Sequence, residues 1–493
     1  MVDGNSTVAA AMPSRQRYRM LWALRHDRLS PAEQVLAQTI QGLTAAMPVS
    51  VWQQAGSAYA VIEKQLRDEG VTVRPGGSVW EVLHRLKDAV KGAVVYRLGT
   101  PSLNVATALC GPMRAVAVDE SLLPQARSAG LKILVDARGT NEVQALERYR
   151  SLFSPGVVVE QALDKPGSLR DFAVAHKAFV FFTTSSAFRT RVARMFGPQA
   201  IVYGWGNDEL RWVSDISRAN ATSAPADWCL NLSILERLSA GPLRRPRRPP
   251  VPIEEDVRYL AFVLSDGDNL QWLCGDFIGN RRYWDSPLRG KFPMTWEVSP
   301  LLPVVAPRVL GHLYRTATPN DGFVSGAGAP GYTYPHLQPD PRALAQQAAP
   351  LLRAADLPIV SVLNTNEGDL KETFPLLDLP EVEGVLYKDY SPYNRSGGRL
   401  LWRQGKPGLS YRFLLWENLM EPEQLAAEVA RMPAAPRSDP ASYAIVNVHA
   451  WSYGRIGGPL NAVRRALSLL PSNVRVITAD QLIPLMQTYV RPS

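Results

Sequence analysis

The sequence is poor in cysteine, with Cys110, Cys229 and Cys274 alone and no CxxC spacing among them. Thiols so scattered define neither a disulfide framework nor a structural zinc site. Long apolar runs are missing as well. No segment approaches the roughly 18 uninterrupted apolar residues of a membrane span. No apolar stretch of signal-peptide length follows the basic Arg15, Arg17 and Arg19. The expectation is a cytoplasmic protein with no membrane partner. The standard catalytic signatures are absent too. There is no HExxH, no GxSxG, no GxxxxGK[ST] and no HxxxH pair, and no GxGxxG follows a strand in the N-terminal part. These absences remove the usual zinc-protease, α/β-hydrolase and nucleotide-binding readings. The net charge of +9 is scattered. Its one dense run, Arg244-Arg245-Pro246-Arg247-Arg248, has no interleaved aromatic residues. It reads as a solvated linker, so no nucleic-acid partner is expected.

What is present is a globular composition spread over 493 residues. At roughly 100–200 residues per domain, that length implies two to four units. Residues 1–30 are polar and read as irregular. A helix is predicted from Pro31 to Met47, with Ser30 as its N-cap. From about residue 90, β-branched runs (Ala93–Tyr96, Ala115–Val118, Ile133–Val135, Phe179–Phe182, Ala200–Tyr203) alternate with amphipathic segments. That alternation predicts an α/β layer with parallel sheet. Pro242, Pro246, Pro249, Pro250 and Pro252 then interrupt both helix and strand patterns. The division is therefore an α/β region over 1–240, a Pro/Arg-rich linker over 241–256, and a second unit over 257–493. In the second unit the alternation restarts with seven or eight strands, which fits a (β/α) barrel.

Active sites in parallel βα architectures lie at the carboxyl ends of the strands. In strand order, those ends carry Asp266, Asp268 and Asn269; Trp296 and Glu297; the turn with Gly331, Tyr332 and Tyr334; Glu367; Asp389; Trp416 and Glu417; and Asn447, His449 and Trp451. Acids, amides and aromatic rings together suit a neutral polyhydroxylated ligand, a carbohydrate or glycoside. Rings stack on sugar C–H faces, and polar groups bond the hydroxyls. Cleavage of a glycosidic bond needs two carboxylates flanking it. Asp266, Asp268, Glu297, Glu367, Asp389, Glu417 and His449 are the candidates for chemistry. Asn269, Trp296, Gly331, Tyr332, Tyr334, Trp416, Asn447 and Trp451 are the candidates for substrate contact. No cofactor is expected; the alternative is a divalent cation at Asp266, Asp268 and His449. The Asp266–Asn269 tetrad taken alone also reads as a turn and helix cap.

The residues Gly331, Tyr332, Tyr334 and Pro335 resemble the motif of the GxGYxYP family of putative glycoside hydrolases, with Ala329 where the motif has its leading glycine and Gly328 just before it. Ser265–Asn269, Trp296–Pro300, Gly204-Trp205-Gly206, Asp227-Trp228 and Asn231-Leu232-Ser233 are similar to that family as well. The resemblance covers about residues 90–490. It implies an α/β N-terminal region before a βα barrel similar to polysaccharide deacetylases, and activity as a glycoside hydrolase. A metal-dependent deacetylase-like hydrolase and a non-catalytic carbohydrate-binding protein are the alternatives.

Overall fold

The structure is a computed structural model, and it describes residues 15–490. It divides into two compact units. One comprises the chain up to Ala240 with Leu270–Asp276 and Val304–Val309; the other comprises Gly241–Asn269, Phe277–Pro303 and Leu310 onward. Among the described residues, no helix is long and apolar enough to cross a membrane.

The first unit holds three small parallel sheets. Strands β1 (Met20–Arg25), β2 (Val49–Gln54) and β3 (Thr72–Pro75) pair in the order β2-β1-β3. Strands β4 (Gly92–Tyr96), β5 (Ala115–Asp119) and β6 (Ile133–Asp136) pair as β5-β4-β6. Strands β7 (Val157–Glu160), β8 (Phe179–Phe181), β9 (Ile201–Gly204) and β10 (Thr222–Pro225) pair as β10-β9-β7-β8. The helix Pro31–Thr44 starts at a capping box in which Ser30 and Glu33 satisfy each other's orphan N–H groups. Its Leu36 and Ile40 share one core with Val51 of β2 and Val116 of β5. The stretch 1–30 was expected to be irregular. Its first fourteen residues lie outside the described residues, but Met20–Arg25 forms the central strand of the first sheet. Met20-Leu21-Trp22-Ala23-Leu24 is too uniformly apolar to show the alternation that marks a half-buried strand.

The second unit is built on one curled sheet. Strands β11 (Arg258–Leu264), β12 (Met294–Val298), β13 (Asp321–Ser325), β14 (Ile359–Asn364), β15 (Gly384–Asp389), β16 (Leu400–Arg403), β17 (Lys406–Ser410), β18 (Phe413–Leu415) and β19 (Tyr443–Val448) run in the order β16-β17-β15-β14-β13-β12-β11-β19-β18. β20 (Val474–Val476) joins beside β11. Every pairing is parallel except the β16–β17 hairpin, a departure from a regular (β/α) repeat. The two flanks of the curl are spanned by one extended stretch. β17 pairs with β15 and β18 with β19, and only Tyr411 and Arg412 lie between. Tyr411 N donates to Tyr387 O at 2.8 Å and Arg412 N to Ile445 O at 3.1 Å.

The helix Ala479–Tyr489 packs Leu482, Ile483 and Met486 against Tyr259, Ile359, Leu386 and Ile445. A Cβ added to Gly384, the first residue of β15, would lie 2.8 Å from Ile483 Cγ2. This helix therefore covers the amino ends of the strands and leaves the carboxyl ends for chemistry. The arginines expected to be solvated are fastened here. Arg245 and Arg248 reach the buried Asp480 of that helix at 3.1 and 3.0 Å, and Asp356 accepts from Arg245 N at 3.0 Å. Of the four arginines in the run, Arg244 and Arg247 are exposed, as expected, and Arg245 and Arg248 are not. The dense charge is a clamp for the proline-rich segment.

Candidate functional site

Strand alternation sorts the expected residues between two faces. On β12, Trp296 and Glu297 point oppositely. Trp296 is fully buried, donates its indole N–H to Asp321 at 2.9 Å, and packs edge-on against Trp284. It was expected to offer a ring to ligand, but no ring face is open. Glu297 faces the interior of the curl. Its Oε1 accepts from Ser361 Oγ (2.5 Å), Lys388 Nζ (2.8 Å) and Tyr411 OH (3.2 Å), and its Oε2 accepts from Lys388 at 3.1 Å. On β15 the same rule puts Lys388 inside and Asp389 outside. Asp389 is buried and accepts from Tyr387 OH (2.9 Å), Arg395 (3.2 Å) and Ser396 Oγ (3.0 Å), which ties down the loop after β15.

Glycines bring the first three strand ends together. A Cβ on Gly267 would run into the backbone and Cβ of Glu297, and one on Gly326 would lie 2.7 Å from Gly267 Cα. The Asp266–Asn269 loop thus rests directly on Glu297. Asp266 itself adopts a left-handed φ of +70°, uncommon for a residue other than glycine. One carboxylate oxygen accepts from Ser265 Oγ, and the other accepts the Trp451 indole N–H at 3.0 Å. Asn269 N donates back to Asp266 O at 3.1 Å, so the loop is both a turn and a carrier of acids. Asp268 and Asn269 are partly exposed.

His449 links this loop to the interior. Its ring stacks on Trp416 with centroids 3.5 Å apart and planes 8° apart, and Ser452 Oγ lies 2.6 Å from Nδ1. Burial holds the His449 imidazole below its ordinary pKa. The Asp266 carboxylate opposes that effect, and the Lys388 charge reinforces it. Burial also pushes the Tyr411 hydroxyl well up, with Glu297 adding to the shift.

An aromatic series runs on from His449. Trp416 stacks with Tyr393 at 4.8 Å, Tyr393 meets Tyr390 at 5.7 Å, and Tyr390 meets Tyr334 at 6.3 Å. Tyr334 and Tyr332 are buried and their hydroxyls lie 3.3 Å apart, so both support the rim rather than cover it. Gly331 is also buried, in the turn they share. Gly328 holds a φ of +97° that Ala329 could not adopt cheaply. Trp451, by contrast, is 48% exposed and meets Tyr283 edge-on at 6.3 Å. Asn447 is buried, and its Oδ1 lacks a hydrogen-bond partner among the described residues.

Two expected acids lie elsewhere in role. Glu417 accepts from Arg455 Nε at 2.5 Å and Tyr453 N at 2.8 Å, and these partners hold it below the usual carboxylate range. Glu367 sits on an exposed turn after β14. Among the described residues, no group of three or more His, Cys, Asp or Glu side chains is placed to hold a metal ion. Sequence reasoning missed Lys388, Ser361 and Tyr411 as partners of Glu297. The one available signal was a lysine closing an otherwise apolar strand.

A mixed α/β chain with parallel N-terminal sheets and a curled C-terminal sheet, polar and aromatic at its carboxyl rim, is the class defined by these features. The chain belongs to the GxGYxYP family. Models of its second domain, its third domain and the "GxGYxYP putative glycoside hydrolase C-terminal domain" match residues 90–153, 155–236 and 256–487. The chain is also similar to a crystal structure described as a putative hydrolase from Bacteroides thetaiotaomicron. The TM-score is 0.90 and the identity 25%, over 97% of each chain. No curated protein matches it.

Proposed function

We propose that the C-terminal unit is a glycoside hydrolase that cleaves a glycosidic bond at the rim formed by Asp266, Asp268, His449 and Trp451. One observation carries this reading: the half-exposed Trp451 donates its indole N–H to the Asp266 carboxylate. A ring able to stack on a sugar is thereby fixed beside an acid able to act on its bond. Asp268, partly exposed on the same loop, is the second carboxylate of the proposal. Glu297 and Asp389 are enclosed by their donors, and Glu417 is held by Arg455. A pair about 5 Å apart gives retention of configuration and a wider pair gives inversion. His449, held by burial below its ordinary pKa, accepts hydrogen bonds at the rim, and the buried Lys388 with Glu297 fixes the field beneath it. In this scheme the carboxylates carry the reaction and no cofactor takes part. The ligand is a carbohydrate or glycoside, and the partner is that small molecule alone.

The test is a screen of aryl glycosides and oligosaccharides with the intact chain. Hydrolysis of at least one is expected, and Trp451→Ala should raise KM about tenfold and also lower kcat, because Asp266 loses its indole donor. Absence of any glycosidic cleavage by the wild-type chain would contradict the proposal.

A further inference from the structure

A second binding place lies wholly within the first unit. The sheet β10-β9-β7-β8 is open and parallel. The chain leaves β7 towards β8 on one side, and leaves β9 towards β10 on the other. The neighbours β7 and β9 therefore form a topological switch point, where loops diverge and open a crevice outside the carboxyl ends of the strands. A cavity of about 380 Å³ occurs there, lined by Asp164 and Lys165 after β7, Phe182 after β8, and Gly206 and Asn207 after β9. That volume falls within the roughly 300–1,000 Å³ of small-molecule sites.

The walls are preorganised. Gln161 Nε2 donates to Lys165 O at 3.0 Å and to Asp227 O at 2.9 Å, pinning the loop after β7 to the loop after β10. Gly206 is required by close packing, since a Cβ there would lie 2.6 Å from the Trp212 ring. Beneath, buried Arg189 forks onto Glu160 and also reaches Asp215 at 2.8 Å. The same Nη2 that donates to Glu160 also donates to Thr183 O at 2.6 Å and lies 3.4 Å from Asn207 Oδ1. Beside the cavity, Lys165 pairs with Asp227 and places its Nζ 4.9 Å from the centroid of Trp228. Trp228 is the most exposed of the large hydrophobic side chains described, at 58%.

The chemistry of the walls selects the ligand. Switch-point crevices commonly take phosphates at a helix N-terminus. Here the helix Glu209–Arg218 begins with Asp208, whose side chain already accepts from Arg211 N, and with the acidic Glu209. The cation of Lys165 is neutralised by Asp227. An anion therefore finds repulsion and no free counter-charge. A neutral polyol finds acceptors on Asp164, an amide on Asn207 and apolar Phe182, with the exposed Trp228 ring, capped on one side by Lys165, beside them.

We propose that this crevice is a non-catalytic saccharide-binding site, with Trp228 as its stacking platform. The choice of a saccharide rests on reading the C-terminal unit as acting on carbohydrate; the crevice itself does not.

The experiment is titration calorimetry with glucose, galactose, mannose, xylose, N-acetylglucosamine, cellobiose and maltose on the full chain carrying Asp266→Asn and Trp451→Ala. That background removes the proposed rim chemistry and platform. Saturable binding of at least one sugar at one site per chain is expected. Adding Trp228→Ala should weaken it about five- to tenfold, and Trp228→Phe should restore most of it. Unchanged melting of each variant shows that the fold is intact. No binding by any of these sugars, or binding that Trp228→Ala leaves unchanged, overturns the proposal. Glycoside cleavage by the chain with Trp228→Ala alone is measured in parallel. Loss of the crevice with hydrolysis retained separates failure of this site from failure of the rim.

Discussion

Two buried acid–base pairs, one in each unit, look alike and do different things. Glu160 closes β7 and is gripped by the planar guanidinium of Arg189 through three hydrogen bonds, with Trp212 Nε1 donating at 3.0 Å and Asp215 balancing the second arm. Arginine is charged at any working pH and its fork matches a carboxylate, so this network holds geometry and exchanges nothing. Glu297 near the end of β12 meets the point charge of Lys388 and the hydroxyls of Ser361 and Tyr411. Those donors sit on rotatable bonds and lack the fixed fork of a guanidinium. The Lys388 charge also bears on His449, which faces Asp266. A buried carboxylate held by a fork reads as structure, whereas one held by a lysine beneath a histidine and a half-exposed acid reads as the floor of a site.

The sharpest way to break that contrast is to remove the cations. Arg189→Met strands Glu160 and Asp215 without a counter-charge in the interior. It should cost about 3–5 kcal/mol in urea unfolding. A loss below about 1 kcal/mol would dismiss the structural role.

The paired change Glu297→Gln with Lys388→Met removes both charges at once and should stay within about 2 kcal/mol of wild type, since neither ion is left alone. It should nevertheless slow glycoside hydrolysis by about 100-fold. Imidazole NMR should show the His449 pKa rising once the Lys388 charge is gone. A pKa that stays put would mean that the pair only supports the sheet.

A smaller effect sits in the first unit. Asp171 is buried, accepts from Ser233 N and Oγ, and is pushed up to about 6 by burial. A carboxyl whose folded pKa lies above its unfolded value of about 3.9 favours folding most below that value. The folded state binds the extra proton, so stability falls as pH rises from about 4 to about 6. Asp171→Asn should flatten this decline by on the order of 3 kcal/mol, read as urea midpoints across that window. Parallel pH curves for the two proteins would refute it.

Much of this was legible in the residues. The alternation of strands and helices fixed the class, and the runs Ala93–Tyr96, Ala115–Val118 and Ile133–Val135 fall within β4, β5 and β6. Strand-end position also put Asp266 after β11 and His449 after β19, two strands that pair side by side. Faces were harder. Trp296 and Glu297 are adjacent, and a strand buried on both sides gives no periodicity to say which points inward. The Glu297–Lys388 pair spans 91 residues, a separation no local spacing encodes. The arginines of the proline-rich segment looked solvated because their partner Asp480 is more than 230 positions away.

Asp266 is proposed as a reacting carboxylate and not merely a turn residue. The measurement is kcat/KM for the best glycoside of the screen, wild type against Asp266→Asn, with melting temperatures matched. Asn keeps the left-handed backbone tolerable and the bond from Trp451, so a fall of about 10²–10⁴ with the fold intact is expected. Cleavage within about threefold of wild type, well under the tenfold that 1.36 kcal/mol represents, would contradict it.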